Sequence, residues 1–181
     1  YKRQKLAIMN KLIFSLFVVI LLTSILFVMN FKKPISNLSQ DDIPKTVVKP
    51  YKPDLNYPDL VIEGIEKALK ENKQPLIIFG ANWCPDCIIL HQITLIPQMA
   101  KFINENFELI YVDVGDYRDG SEPKNKQILL NYGIAELEGV PTIVVLSKDL
   151  KVLNKDSQTQ WRNARERQPS EFYFYLNNFL S

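Results

Sequence analysis

Trp83-Cys84-Pro85-Asp86-Cys87 contains the only two cysteines in this chain of 181 residues and separates them by two positions. The stretch follows an apolar run that is typical of a buried strand, and a helical pattern comes after it. Two cysteines with this spacing at a strand-to-helix turn are typical of thiol–disulfide redox sites. The sequence therefore predicts that the sulfur chemistry of the chain is concentrated at this turn.

The two cysteines are expected to play different roles. At the start of a helix, Cys84 would lie near unpaired backbone N–H groups and the positive end of the helix dipole, which favour a thiolate. Pro85 suits the first helical turn because its missing N–H group is not needed there. We therefore predict that Cys84 is the attacking thiol and that Cys87, one turn further along, is the resolving thiol.

Other uses of these cysteines fit the sequence less well. A structural disulfide between residues three apart would constrain the unfolded chain very little. A closed zinc site needs four good ligands, and the chain offers only Cys84, Cys87 and its single histidine, His91, at suitable spacing. We expect no metal and no other cofactor, and a copper or zinc carrier that uses these three residues stays the alternative function. A non-catalytic interaction domain at the membrane is a further alternative.

Four short motifs occur in order along the chain: FGANWCPDC at 79–87, VDVG at 112–115, NYG at 131–133 and GVPT at 139–142. In this combination, residues 58–181 resemble the thioredoxin superfamily, and more narrowly its bacterial, membrane-anchored members with a WCPDC active site. The resemblance implies an α/β thioredoxin fold, in which helices flank a central mixed β-sheet, and thiol:disulfide oxidoreductase activity. It also implies two kinds of partner, protein substrates that contain disulfides and an upstream thiol that donates electrons.

The resemblance also assigns roles to individual residues. Cys84 would be the nucleophile, Cys87 the resolving cysteine, and Trp83 the indole that borders the sulfur site. Pro141 would be a cis proline that faces the disulfide. The backbone of Val140 would pair with an extended segment of the substrate, as an added strand does.

One position departs from the thioredoxin pattern. Thioredoxins commonly keep a buried carboxylate six positions before the first cysteine, and this chain has Ile78 there. Asp86, His91 or water would then have to accept the proton near Cys87. Asp86 also places a negative charge beside the thiolate, which should raise the pKa of Cys84 relative to a histidine there and favours a reductant.

An apolar run of eighteen residues without any charge covers 12–29. At a rise of about 1.5 Å per residue, such a helix is close to the minimum that spans a bilayer core of about 30 Å. No small-x-small cleavage site follows the run, so we predict an uncleaved anchor rather than a signal peptide. The predicted location is the bacterial inner membrane, with a single pass and the redox domain facing the periplasm or the cell exterior.

Three regions are predicted along the chain: a cytoplasmic stub with the membrane anchor at 1–31, a linker at 32–58 and the thioredoxin-like domain at 59–181. The linker contains five of the eleven prolines, which favours a semi-extended tether over a packed element. A net charge of +2 and the lack of a basic and aromatic patch argue against nucleic acid as a partner.

Within the domain, periodicity and turn residues predict alternating helices and strands, with Asp59 and Ser170 as N-caps of the first and last helix. In chain order, the predicted elements are a helix at 59–72, a strand at 74–80, a helix from 84 that is kinked or interrupted at Pro97, a strand at 107–114, a helix at 124–132, a hairpin of 142–146 with 151–153, and a helix at 170–180.

Overall fold

The computed structural model of the protein describes residues 13–15 and 33–180. A three-stranded sheet forms its centre, with strands β1 (Gln74–Gly80), β2 (Phe107–Asp113) and β3 (Thr142–Val145) in the order β2-β1-β3. β1 runs parallel to β2 and antiparallel to β3, so the predicted mixed sheet is confirmed. Every residue of β1 is buried, as its continuous apolar sequence predicts for a central strand.

Within residues 33–180, five α-helices accompany the sheet: α1 (Tyr57–Lys70), α2 (Pro85–Thr94), α3 (Pro97–Asn106), α4 (Lys126–Leu130) and α5 (Pro169–Asn177). Proline occupies the first or second position of α1, α2, α3 and α5. A proline is well tolerated there because its fixed φ suits a helix and its missing N–H group has no intrahelical role. The predicted interruption at Pro97 is confirmed, because α2 ends before this residue and α3 begins at it.

The two faces of the sheet carry separate apolar clusters. Leu76 and Ile78 of β1 pack with α2, α3 and α5, whereas the alternate residues Ile77 and Phe79 belong to a cluster that includes both cysteines. This division follows from the period of two along a strand. The cysteine pair therefore lies just beyond the carboxyl end of β1, backed by the second cluster.

The predicted hairpin of 142–146 with 151–153 is present in a shorter form: Leu146 and Val152 make an isolated antiparallel bridge, and the Leu153 N–H group donates to the Val145 carbonyl at 2.9 Å, but 151–153 is not a regular strand. The buried side chain of Asn154 explains the difference. Its Oδ1 accepts a hydrogen bond from the Val145 N–H group at 2.9 Å, and its Nδ2 donates to the Ile143 carbonyl at 2.9 Å. The amide thus satisfies groups of β3 that a longer neighbouring strand would have paired.

The two predicted N-caps, Asp59 and Ser170, both lie inside the first turn of their helices instead of preceding it. α1 begins at Tyr57, and Asn56 precedes it with its side-chain amide donating to the Asp59 carboxylate. α5 begins at Pro169, and the carboxylate of Glu171 accepts from the backbone of Gln168 at 2.8 Å in a capping box.

The segment at 35–58 is packed, so the predicted semi-extended tether is wrong for these residues. Leu38 and Tyr51 are only 2% and 1% exposed and belong to the two apolar clusters. The Gln40 N–H group also donates to the Gln168 side chain at 3.1 Å. The prolines limit regular structure here, but the apolar side chains between them still gain by burial. The boundaries at 31/32 and 58/59 stay predictions.

The predicted membrane anchor at 12–29 lies outside the described residues, except for 13–15. Within the part of the chain that the structure describes, no helix combines the length and the apolar character needed to cross a membrane.

Candidate active site

Cys84 occupies the N-cap of α2, the position that the sequence predicts for the attacking thiol. Its backbone is extended, with φ −87° and ψ 113°, and its sulfur accepts a hydrogen bond from the Cys87 N–H group at 3.2 Å. Both cysteines are free thiols and both are buried. The site therefore presents two unbonded sulfurs at one helix N-terminus, where backbone donors favour negative charge.

The surroundings shift the pKa values of the two thiols in opposite directions. A hydrogen bond with the Cys87 thiol, aided by the Cys87 backbone, lowers the pKa of Cys84, although burial and the charge of Asp86 oppose this. Burial raises the pKa of Cys87, and the neighbouring Cys84 raises it further. The pair thus offers one sulfur that ionises easily and one that stays protonated, which agrees with the predicted division into attacking and resolving thiols.

The loop before β3 faces the first sulfur. The peptide bond between Val140 and Pro141 is cis, as the resemblance to thioredoxins implies. The Cys84 thiol donates to the Val140 carbonyl, with sulfur and oxygen 3.6 Å apart. The Thr142 hydroxyl fixes the same loop by donating to the Gly139 carbonyl at 2.7 Å. The structure thus brings the predicted substrate-pairing residue next to the attacking thiol.

Trp83 is attached to the loop that follows β2. Its indole Nε1 donates to the Gly115 carbonyl at 2.8 Å. The Tyr117 ring lies edge-on at 5.5 Å between centroids, and the Arg118 guanidinium lies 4.8 Å from the indole centroid. Two aromatic rings and one positively charged side chain therefore border the cysteines on this side. Sequence reasoning missed Tyr117 and Arg118, because no pattern connects this loop to the cysteines.

Asp86 is 7% exposed, and its carboxylate is bound by Arg165. Its Oδ1 accepts hydrogen bonds from the Arg165 backbone N–H at 3.0 Å and from the guanidinium Nε at 3.2 Å. The negative charge still opposes the thiolate of Cys84, as the sequence predicts. The partner cation was not predicted, and it offsets part of that charge.

His91 does not join the cysteines. Its Nδ1 lies 2.8 Å from the Tyr111 hydroxyl, the two rings meet edge-on, and burial lowers the pKa of the imidazole. In residues 13–15 and 33–180, no three side chains of histidine, cysteine, aspartate or glutamate are grouped so that they could hold a metal ion. The copper or zinc alternative therefore gains no support from the placement of its expected third ligand.

Asn82 and Tyr51 form a contact that sequence reasoning missed. The Asn82 side chain accepts from the Tyr51 N–H group at 3.3 Å and donates to the Tyr51 carbonyl at 2.5 Å. This pair of hydrogen bonds fixes the proline-rich segment to the turn that carries the cysteines. The only sequence signal was a large aromatic residue in a segment otherwise suited to a tether.

This fold, with a C-x-x-C pair at the start of α2 and a cis proline opposite, defines a thioredoxin-like protein. The family described as the thioredoxin-like domain matches residues 62–171, which is more than half of the chain. The chain therefore belongs to this family, and the superfamily inferred from the motifs is confirmed.

Solved structures similar to this one include the following two. The disulphide isomerase of Xylella fastidiosa Temecula1 shares 25% sequence identity and a TM-score of 0.63, over 73% of this chain and 99% of the isomerase chain. The C-terminal domain of Neisseria meningitidis DsbD, in its oxidised form, shares 22% identity and a TM-score of 0.38, over 53% of this chain and 81% of that domain. A comparison with curated proteins gave no match.

Proposed function

We propose that the protein is a thiol:disulfide oxidoreductase that reduces disulfides of protein substrates outside the cytoplasm. The observation that carries the oxidoreductase activity is the pair of thiols at the start of α2, with a lowered pKa at Cys84 and a raised pKa at Cys87. Membership of the thioredoxin-like family supports it, as does the similarity to a disulphide isomerase over nearly the whole length of that enzyme.

The reaction consists of two exchange steps. The Cys84 thiolate attacks one sulfur of the substrate disulfide, so that this bond breaks, a mixed disulfide forms and one substrate thiolate leaves. Cys87 then attacks the Cys84 sulfur, and its proton passes to the second departing substrate thiolate. The protein has lost two electrons and holds a disulfide between Cys84 and Cys87. An upstream thiol donor returns these electrons and restores the dithiol.

The substrate would bind where Val140 and Pro141 face Cys84. An extended peptide can add its backbone to that of Val140 as a further strand, which brings a substrate disulfide towards the first sulfur. Trp83 and the loop beyond it limit the site on another side. Because the pairing uses backbone groups, it suits many different protein substrates.

The direction and the location rest on sequence features. The charge of Asp86 disfavours the Cys84 thiolate, which destabilises the reduced form and makes the protein a better reductant, although Arg165 weakens this effect. The uncharged run at 12–29 supports an anchor in a bacterial inner membrane with the redox domain on the periplasmic or outer side.

The central test separates the roles of the two sulfurs. The Cys87→Ser variant should accumulate mixed disulfides with partner proteins, because the second exchange step is blocked, whereas Cys84→Ser should trap none. Mass spectrometry after non-reducing electrophoresis identifies the trapped partners, and the double variant Cys84→Ser with Cys87→Ser serves as control. Equal trapping by both single variants, or by neither, would contradict the proposal.

A further inference from the structure

The hydroxyl of Tyr51 is a buried polar group with no role in the two exchange steps of Cys84 and Cys87. Tyr51 is 1% exposed, and within the part of the chain that the structure describes its oxygen has no partner of hydrogen-bond geometry. Buried hydroxyl groups are normally paired, because the loss of hydration would otherwise destabilise the fold. The position of this hydroxyl therefore calls for a physical reason.

Gly80, the last residue of β1, locates the hydroxyl beside the second sulfur. A Cβ atom added at Gly80 would collide with the hydroxyl of Tyr51 and would lie 3.0 Å from the Sγ atom of Cys87. The hydroxyl and the sulfur thus meet over the same point of the backbone, and only the missing side chain of Gly80 leaves room for both. An unpaired hydroxyl donor, that of Tyr51, therefore lies beside the sulfur of the resolving thiol.

The backbone of the segment holds Tyr51 in place independently of the sulfur. Asn82 binds both the N–H and the carbonyl group of Tyr51. The next residue, Lys52, is fixed in the same way by the Tyr57 hydroxyl, which accepts from its N–H group at 3.0 Å and donates to its carbonyl at 2.8 Å. The Tyr51 ring also packs edge-on against Tyr111, with centroids 5.6 Å apart. The phenol is therefore preorganised before any charge develops on Cys87.

Several other groups act on the Cys87 sulfur. In the described part of the chain these are the Cys84 thiol, the Asp86 carboxylate, the Ala81 backbone and the phenols of Tyr51 and Tyr117. The Asp86 carboxylate is already hydrogen-bonded to Arg165, and a negative charge opposes ionisation of a thiol. Of the two phenols, Tyr51 is the fully buried one, and its hydroxyl is an unpaired neutral donor.

We propose that Tyr51 is a catalytic residue of the second exchange step, in which its hydroxyl donates a hydrogen bond to the Cys87 sulfur. This inference rests on the proposed oxidoreductase function. As Cys87 attacks, the bond between Cys84 and the substrate breaks and the bond between the two protein sulfurs forms. The Cys87 proton goes to the departing substrate thiolate, and Tyr51 keeps its own proton throughout. Its contribution is to stabilise the negative charge on Cys87 in the transition state.

The ionisation of Tyr51 is consistent with this role. Burial raises the pKa of Tyr51 well above its ordinary value, and charge on Cys87 raises it further. The phenol therefore stays protonated near neutral pH and can donate its proton in a hydrogen bond. A hydrogen bond to a charged group is stronger than one between neutral groups, so its effect appears when Cys87 becomes negative.

The test compares Tyr51→Phe with Tyr57→Phe in the full-length protein. Each variant removes one phenol oxygen from the same segment, but only the Tyr51 oxygen lies at the sulfur. The reduced proteins are mixed with insulin as the disulfide substrate, quenched with acid at intervals, and assayed for the mixed disulfide. In Tyr51→Phe we expect the mixed disulfide to form at the parental rate and to decay at least about tenfold more slowly. The decay of the mixed disulfide in Tyr51→Phe should also reach its maximal rate at a higher pH than in the parent.

The outcomes separate this inference from the function on which it rests. Parental decay in Tyr51→Phe, or equal slowing in both variants, would overturn the role of Tyr51 while leaving the oxidoreductase function intact. Absence of any mixed disulfide in the parent and in Cys87→Ser would overturn the function itself. If Tyr51→Phe fails to fold, a fluorinated tyrosine at position 51 replaces it. Its more acidic hydroxyl should accelerate the decay, and an unchanged rate would contradict the proposal.

Discussion

Asp86 and Arg165 act on the Cys84 sulfur with opposite charges. The carboxylate disfavours the thiolate, and the guanidinium that binds this carboxylate is itself close enough to interact with Cys84. The Nε atom of Arg165 lies 3.2 Å from the Oδ1 atom of Asp86, and the arginine side chain is largely exposed to solvent. Its effect on the thiol is therefore a difference between two charges, and either one can be removed by substitution.

We expect the substitutions Asp86→Asn and Arg165→Gln to shift the Cys84 pKa in opposite directions. Asp86→Asn keeps an oxygen for the Arg165 N–H group but removes the negative charge, so the pKa should fall and the protein should become more oxidising. Arg165→Gln leaves the carboxylate uncompensated, so the pKa should rise. The pH dependence of alkylation measures the pKa of Cys84. Equilibration with glutathione measures the reduction potential, in which about 30 mV corresponds to a tenfold change in the equilibrium constant. Shifts of the same sign in both variants would show that the pair acts through structure rather than charge.

His91 should make the folding stability depend on pH. Burial lowers its pKa from the ordinary value of 6.5, so the folded protein resists protonation where the unfolded chain accepts it. The stabilisation is therefore complete above about pH 6.5 and is lost as the pH falls, by at most about 1.4 kcal/mol per pH unit. Chemical unfolding at about pH 7.5 and about pH 5.5 should show a larger loss for the parent than for His91→Asn. Equal losses would mean that His91 is protonated in the folded state.

At the scale of elements, the segment at 35–58 belongs to the folded domain. Leu38 is buried in the cluster formed with α2, α3 and α5, whereas Val47 of the same segment is 64% exposed. Leu38→Ala should lower the free energy of unfolding by about 2–4 kcal/mol, because it leaves a cavity in that cluster. Val47→Ala is the matched control and should change it by less than about 0.5 kcal/mol. If denaturant unfolding gives equal, small changes for both variants, the segment is not part of the cooperative fold.

The sequence predicted strands better than helix ends. β1 was predicted with its observed bounds, because a central strand is a continuous apolar run limited by turns. The starts of α1 and α5 were placed too late, since prolines in the first turn were not weighed against nearby polar caps. The absent strand at 151–153 depends on a single buried amide, Asn154, whose tertiary hydrogen bonds leave no periodic signal.

In the candidate site too, residues in local motifs could be predicted and residues in long-range contacts could not. The cysteines, Trp83 and Pro141 could be predicted because local motifs carry them. Arg165 contacts its carboxylate partner from 79 positions away, and Tyr51 binds Asn82 across 31 positions. Such contacts are created by the packing of elements and not by local pattern, so a single sequence predicts the cysteine pair and its neighbour Asp86 but not the distant residues that act on them.

At the scale of the whole molecule, the packing of 35–58 changes what an anchor at 12–29 would imply. Tyr51 lies both in the expected linker and against the Cys87 sulfur, so the residues that would connect the anchor to the domain are partly built into the active site. The length available as a free tether is correspondingly shorter than the 27 residues between 31 and 59.

The anchor itself can be tested on the full-length chain. Eighteen uncharged residues at 12–29 should hold the protein in the membrane fraction after high-salt and alkaline washing, which remove proteins bound only at the surface. The variant Val19→Lys with Leu22→Lys places two charges in the middle of the run, each costing about 2.5–3.5 kcal/mol at the centre of a membrane helix. We expect this variant in the soluble fraction, whereas Lys32→Ser with Lys33→Ser should remain bound. A shortened soluble parent protein that begins near residue 30 would show instead that the run is a cleaved signal peptide.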